Sequence, residues 1–249
     1  MTIRRVIGAM LLLPVILVIW YDQIIGGLML VVLAFFMSVE AKRIINTPRI
    51  IGCLVVVLLT AQSIPQWVIE RPVAVTHGGA LLVAIMVLVH TKKNIVALFS
   101  GLLSLCFGYA ALLLSQPSGH IMLVALAAII TACDSAAYFV GRGIGGPKLW
   151  PQVSPGKTVS GSIAGLIAAT GLTLILADVI GFADQLGALI LGLGLGILAQ
   201  AGDLLESAIK RWSNIKDSGS ILPGHGGMLD RFDGYILAIP AFYLYLFEM

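Results

Sequence analysis

The chain has 249 residues, of which 59% are hydrophobic and 11% charged, with a formal net charge of +3 and a mean hydropathy of +1.04. That balance excludes an ordinary water-soluble domain and makes the bilayer the main solvent of the fold. A hydrocarbon core of about 30 Å takes roughly 20 apolar residues at about 1.5 Å of rise each. Nine windows approach that length: 3–20, 24–39, 50–69, 73–90, 95–115, 120–140, 160–180, 182–205 and 234–247. The first, second and last are short. The fold class expected is therefore all-α, a polytopic integral membrane protein with about nine transmembrane helices. Arg4 and Arg5 precede an apolar stretch that lacks a small-residue cleavage site, so no cleaved leader is expected.

Alternating nine helices from a cytoplasmic N-terminus puts every Lys and Arg except Arg71 on the inside, as the positive-inside rule requires. The expected topology is N-in and C-out, in the cytoplasmic membrane if the source is bacterial. Such a basic inner face attracts anionic headgroups and nucleotides. Cys53, Cys106 and Cys133 stand singly in apolar windows, without metal or disulfide spacing, and read as small core hydrophobes. His77, His90 and His120 read as interfacial or packing residues.

The chain divides by character at residue 120. Residues 1–120 are apolar helices with short connections, a lipid-facing scaffold. Residues 121–249 gather Gly, Pro, Asp, Lys and Arg into two cytoplasmic loops, near 141–159 and 206–233, where binding and chemistry are expected.

Around the first loop lie Asp134, Tyr138, Gly141 and Arg142, then Ser154, Pro155, Gly156, Lys157 and Thr158. Asp134 is about two turns inside the membrane from Arg142, where an ionised carboxylate costs roughly 2.5–3.5 kcal/mol and calls for a partner or a metal. Gly156-Lys157-Thr158 lacks the spacing of a phosphate-binding P-loop, and no strand is expected before it. A glycine and lysine at a helix start can still hold a phosphate, so Lys157 is a candidate ligand-binding residue.

The second loop carries Asp203, Glu206, Ser207, Lys210 and Arg211, then Lys216 and Asp217, then Pro223, Gly224, His225, Gly226, Gly227, Asp230, Arg231 and Asp233. On one helix, Asp203, Ser207 and Lys210 share a face at i, i+4 and i+7. A helix opening near Asp230 projects Asp230 and Asp233 the same way. Spacing forces no basic residue onto Asp203 or Asp230. Two such carboxylates at interfacial helix ends suit a hard, oxygen-coordinated cation carrying phosphates. Glu206 and Lys210 form an i,i+4 pair whose better reading is structural. His225, among glycines that allow close backbone approach, is a candidate donor to a phosphate or a base.

The run from Ser207 to Asp233, 27 residues with its polar positions in register, resembles the signature of the phosphatidate cytidylyltransferase (CDP-diacylglycerol synthase) family. Asp134 to Tyr138, Gly141-Arg142, Ser154-Pro155 and Lys157-Thr158 look like that family's other cytoplasmic motifs. Two positions depart: many members have Lys at Gly156 and Glu or Gln at Ser160. The resemblance implies the reaction of CTP with phosphatidate to give CDP-diacylglycerol and pyrophosphate, with Mg2+ and a second cation site. It implies Asp203, Asp230, Lys210 and His225 as catalytic residues, and Asp203, Asp230, Asp134 and Asp233 as the metal set. Lys157, Ser207, Arg211, Lys216, Gly226, Gly227, Arg231 and Arg142 are its substrate-binding counterparts. The partners implied are CTP, phosphatidate and the membrane lipid, no nucleic acid, and a second copy of the chain in a homodimer. The alternatives are a related CTP-using lipid kinase, in which an alcohol nucleophile would need a base, and an ion-coupled transporter using Asp134 and Asp203.

Overall fold

The computed structural model describes residues 23–46, 48–65, 73–181, 184–219 and 227–247. Ten helices and one hairpin follow in chain order. They are α1 (Gln23–Ile45), α2 (Arg49–Gln62), α3 (Val73–Thr91), α4 (Asn94–Leu114), α5 (Gly119–Gly143), β1 (Lys148–Trp150), β2 (Ser154–Thr158), α6 (Val159–Ile175), α7 (Ala177–Ile180), α8 (Gln185–Trp212), α9 (Leu229–Phe232) and α10 (Tyr235–Phe247). Five of them, α1, α3, α4, α5 and α8, are long and apolar enough to cross a membrane, and α2, α6 and α10 are shorter apolar helices. These eight overlap the last eight hydropathy windows, with ends that differ by up to seven residues. The first window, Arg4, Arg5 and Arg71 lie outside the described residues.

Helix α4 is the hub, with 78% of its most apolar window buried against 22–39% for the other four long helices. Its apolar side chains run round the whole cylinder, which only a central helix can satisfy. Phe99 and Leu103 face Ala34, Met37 and Ala41 of α1, whereas Tyr109, Leu112 and Leu113 face Leu126 and Ile129 of α5 and Phe242 of α10. The first of these clusters also takes in Ile209, Leu229 and Ile236, so α1 packs directly against the C-terminal signature region. The outward faces carry exposed Ile50, Phe139 and Ile175, as lipid contact demands.

Helices α5 and α6 cross at glycines. A Cβ on Gly161 would sit 2.5 Å from the Ala137 carbonyl oxygen, so only glycine permits this approach. Asp184 caps α8 by accepting from the N–H groups of Leu186 at 3.1 Å and Gly187 at 2.9 Å.

Three readings from sequence need correction. Residues 148–158 form an antiparallel hairpin, with Lys148 opposite Thr158 and Trp150 opposite Ser154. Lys157 therefore stands on a strand, and Thr158 caps α6 by accepting from the Gly161 N–H. Cys53 is exposed beside Lys42, whereas Cys106 and Cys133 are buried as expected.

Candidate active site

Polar and charged side chains converge where α1, α5 and α8 end. The α8 backbone continues through Asp203, Glu206, Ser207 and Lys210, because a polar residue does not interrupt the i to i−4 ladder. Ser207 Oγ donates to Asp203 Oδ1 at 3.3 Å, so the two share the expected helical face. Lys157 crosses from β2 to pair with Asp203 Oδ2 at 2.5 Å.

Lys210 lies between two acids, 2.5 Å from Glu206 Oε2 and 2.6 Å from Asp230 Oδ1. Glu206 is fully buried, and its Oε2 is joined to the Lys210 ammonium in a buried ion pair. Asp230 has further partners: Oδ2 accepts from the Gly227 N–H at 2.7 Å, and the Ser218 N–H approaches both oxygens at 3.1–3.2 Å. Burial opposes ionisation of Asp230, but the Lys210 hydrogen bond and these two N–H groups outweigh it and hold the carboxyl below the usual carboxylate range.

Asp233 stands in a different environment from Asp230, although the two are three residues apart. Burial, and then the negative charges of Asp203, Glu206 and Asp134, push its carboxyl well above the usual range. Its Oδ1 accepts from the Gly234 N–H at 2.7 Å. The chain passes close to α8 here, since a Cβ on Gly202 would lie 2.6 Å from the Asp233 carbonyl oxygen.

Asp203 and Asp230 are thus each matched to a lysine that spacing along the chain does not force onto them. Spacing along the chain could not show that the hairpin delivers Lys157, or that α9 folds back onto Lys210. In all, Asp134, Asp203, Glu206, Asp230 and Asp233 interact with one another or with Lys157 and Lys210, five carboxyl groups to two ammonium groups. The acidic groups offer carboxylate oxygens, the ligand type a hard divalent cation takes, and negative charges are crowded at Asp233. Among the described residues, no group of three acidic, His or Cys side chains forms a preformed cage.

Arg142 is exposed at the end of α5 and donates to Tyr138 Oη at 2.9 Å. Arg211 is exposed and donates to the Ile215 carbonyl at 3.2 Å. Lys216 and Arg231 are exposed, and Gly227 is buried. His225 and Gly226 lie outside the described residues. Gly156 faces open space, and Ser160 Oγ bonds the Gly145 carbonyl and Thr158 Oγ1, so neither departure from the family pattern disturbs the hairpin.

One polar residue of the site escaped the sequence reading. Glu40, wholly buried on α1, accepts from the Leu229 N–H at 2.8 Å and from Ser218 Oγ at 3.2 Å. The second window stopped at residue 39, which left Glu40 to a loop, whereas the helix runs on to Ile45. The available signal was a lone carboxylate inside a helix, the argument applied to Asp134.

An all-α membrane chain whose acidic and basic side chains gather at one end of its helices has the make-up of a membrane enzyme acting on phosphates. The chain belongs to the cytidylyltransferase family, whose profile matches residues 2–249. It is 46% identical to the phosphatidate cytidylyltransferase of Brucella suis over 55% of this chain and 53% of that protein. It is also 46% identical to that of Bacillus subtilis, over 47% of this chain and 44% of the relative. These matches span about half the length of those two relatives. A phosphatidate cytidylyltransferase of Staphylococcus haemolyticus is 30% identical and aligns over 100% of this chain and 98% of its own length.

Proposed function

We propose that this chain transfers the CMP unit of CTP to phosphatidate, giving CDP-diacylglycerol and pyrophosphate. The observation that carries this reading is the cluster of two lysines and five carboxylates built from the family's motif positions at the helix ends. In the reaction, a phosphate oxygen of the lipid forms a bond to the α-phosphorus of CTP. The α–β anhydride bond breaks, and pyrophosphate leaves with the electron pair. The lipid phosphate is already an anion, so alignment and charge neutralisation matter more than a strong general base. Lys157 and Lys210 are set to turn an ammonium N–H to a phosphate oxygen while their carboxylate partners hold them in place, with Arg211, Arg142, Lys216 and Arg231 at the exposed rim. Asp203, with Asp134 and Asp233 facing it, would hold Mg2+, which when bound supplies charge neutralisation at the phosphates. Asp230 keeps Lys210 in place from the other side, and a second cation would join the same acidic group.

We further propose nine spans with the N-terminus and the loops 141–159 and 206–233 on the cytoplasmic face. Supporting this, the basic ends of α1 and α8 adjoin, Ser213 Oγ donating to the Ile44 carbonyl at 3.1 Å, and Lys157 brings the end of α5 to the same level. A site at that depth receives lipid laterally and CTP from water. In a background without the native cysteines, Ser154→Cys should react only with reagent admitted to the cytoplasm. Reaction from outside intact cells would reverse the orientation.

The deciding experiment is incubation of the purified chain with labelled CTP, phosphatidate and Mg2+. CDP-diacylglycerol and pyrophosphate are the expected products. Release of CDP with a phosphorylated lipid alcohol would replace this reading by lipid kinase activity.

A further inference from the structure

We infer that Glu40 is a positioning residue of this site: from the N-terminal half it ties both ends of the glycine-rich segment and thereby fixes Asp230 against Lys210. The inference rests on the proposed transferase reading and adds a residue outside its motifs.

Glu40 is fully buried on an apolar helix, where a carboxylate is costly to keep unless its geometry is needed. Its Oε2 takes one hydrogen bond from each side of the segment, Ser218 Oγ before it and the Leu229 N–H after it. Oε1 has no hydrogen-bond partner among the described residues and faces Gly219. A Cβ on Gly219 would collide with Oε1, and one on Gly227 would come within 2.6 Å of Oε2, so both glycines are moulded on this carboxylate.

Ser218 connects Glu40 to the reaction centre. Its hydroxyl donates to Glu40 while its N–H donates to Asp230, and Asp230 in turn holds Lys210. Gly227 lies in the same knot, its N–H on Asp230 and its Cα against Glu40. An unbroken series of polar contacts therefore runs from α1 through Ser218 and Asp230 to Lys210 and Glu206. Displacing Glu40 frees the Ser218 and Leu229 anchors, and with them the register in which Asp230 meets the lysine.

The test uses the full chain in detergent and reads two quantities, the thermal unfolding midpoint and CDP-diacylglycerol formation at varied CTP. Glu40→Ala should lose about 10- to 100-fold in turnover, the scale of a hydrogen-bonded charged group. Glu40→Gln keeps an acceptor oxygen at the same reach and should restore turnover to within about 3-fold, while Glu40→Asp, one methylene shorter, should not. Because Glu40 acts through Asp230 and Lys210, Glu40→Ala should add less than about 3-fold to the loss already caused by Lys210→Met. Gly219→Ala should lower the unfolding midpoint when Glu40 is present and have little effect beside Glu40→Ala.

Wild-type turnover in folded Glu40→Ala, or losses that multiply independently with Lys210→Met, would overturn the inference. If Glu40→Ala does not accumulate, Ser218→Ala and Gly219→Ala decide it, and unchanged turnover in both sinks it. A wild-type chain that forms no CDP-diacylglycerol defeats the functional reading alone. The Gly219 and Glu40 midpoints would then still establish or refute the contact.

Discussion

Helices α4 and α8 have similar apolar content over most of their length but are put to different uses. In α4 the apolar surface is continuous, and burial at the centre of the bundle satisfies it. Helix α8 is apolar from Leu186 to Leu198 and then carries Asp203, Glu206, Ser207, Lys210 and Arg211 in its last turns. The scaffold helix is specified by what it packs against, while the site helix is specified by the charges other elements bring to it. Lys157 comes from a hairpin, Asp230 from a short helix, and Glu40, through Ser218, from the opposite half of the chain. Substitutions in the two helices should therefore separate turnover from stability.

The largest expected effect lies at the two acidic positions of α8 and α9. Asp203→Asn should lose about 10²- to 10³-fold in turnover, the range found when a preorganised electrostatic group is removed, and Asp230→Asn, which acts through Lys210, about 10²-fold, the upper end for a charge-assisted contact. The routes differ. Asp203→Asn should also raise the Mg2+ concentration giving half-maximal rate, whereas Asp230→Asn, which releases Lys210, should leave that midpoint in place. CDP-diacylglycerol formation titrated against Mg2+ separates them, and an unchanged midpoint with full rate in Asp203→Asn would remove that residue from the cation site. Next come the lysines. Lys157→Met and Lys210→Met should each cost about 10- to 100-fold, typical of charge-assisted contacts. Unaltered kinetics with CTP in both would show that neither meets a phosphate.

The eight described apolar helices were legible from hydropathy because a run of apolar side chains identifies both the helix and its solvent. Their polar ends were not. Hydropathy falls at Glu40 and again at Glu206, yet backbone hydrogen bonding carries α1 to Ile45 and α8 to Trp212. The motif residues could be chosen from sequence, and the Asp203–Ser207 contact follows from helical spacing. What spacing could not supply were the pairings across elements, Lys157 with Asp203 and Lys210 with Asp230. The hairpin was hidden as well, since Ser154-Pro155-Gly156-Lys157-Thr158 shows no alternation of apolar and polar residues.

A smaller effect is expected at Asp217, an exposed residue between the lysine-bearing helix and the glycine-rich segment. It resembles Asp230 in charge and neighbourhood along the chain, but none of the hydrogen bonds and ion pairs that organise the centre passes through it. Asp217→Asn should change turnover by no more than about 2-fold, the ordinary range for a surface substitution. Its accumulation in the membrane should match wild type. A loss approaching that of Asp230→Asn would show that the acidic centre extends into this loop.

The smallest effect tests α4 itself. Ser104 is fully buried in the middle of this helix, and its hydroxyl has no hydrogen-bond partner among the described residues. An unpaired buried hydroxyl carries a desolvation cost that alanine avoids, and alanine is also the better helix former. Ser104→Ala should therefore leave turnover unchanged and raise stability by about 0–1 kcal/mol, a modest range because polar groups in membrane helices also find partners in the unfolded reference state. The measurement pairs the thermal unfolding midpoint in detergent with the rate of CDP-diacylglycerol formation. A stable protein with reduced rate would mean that this hydroxyl serves the reaction and that α4 is more than a scaffold. A destabilised protein would mean that the hydroxyl is satisfied in the native membrane.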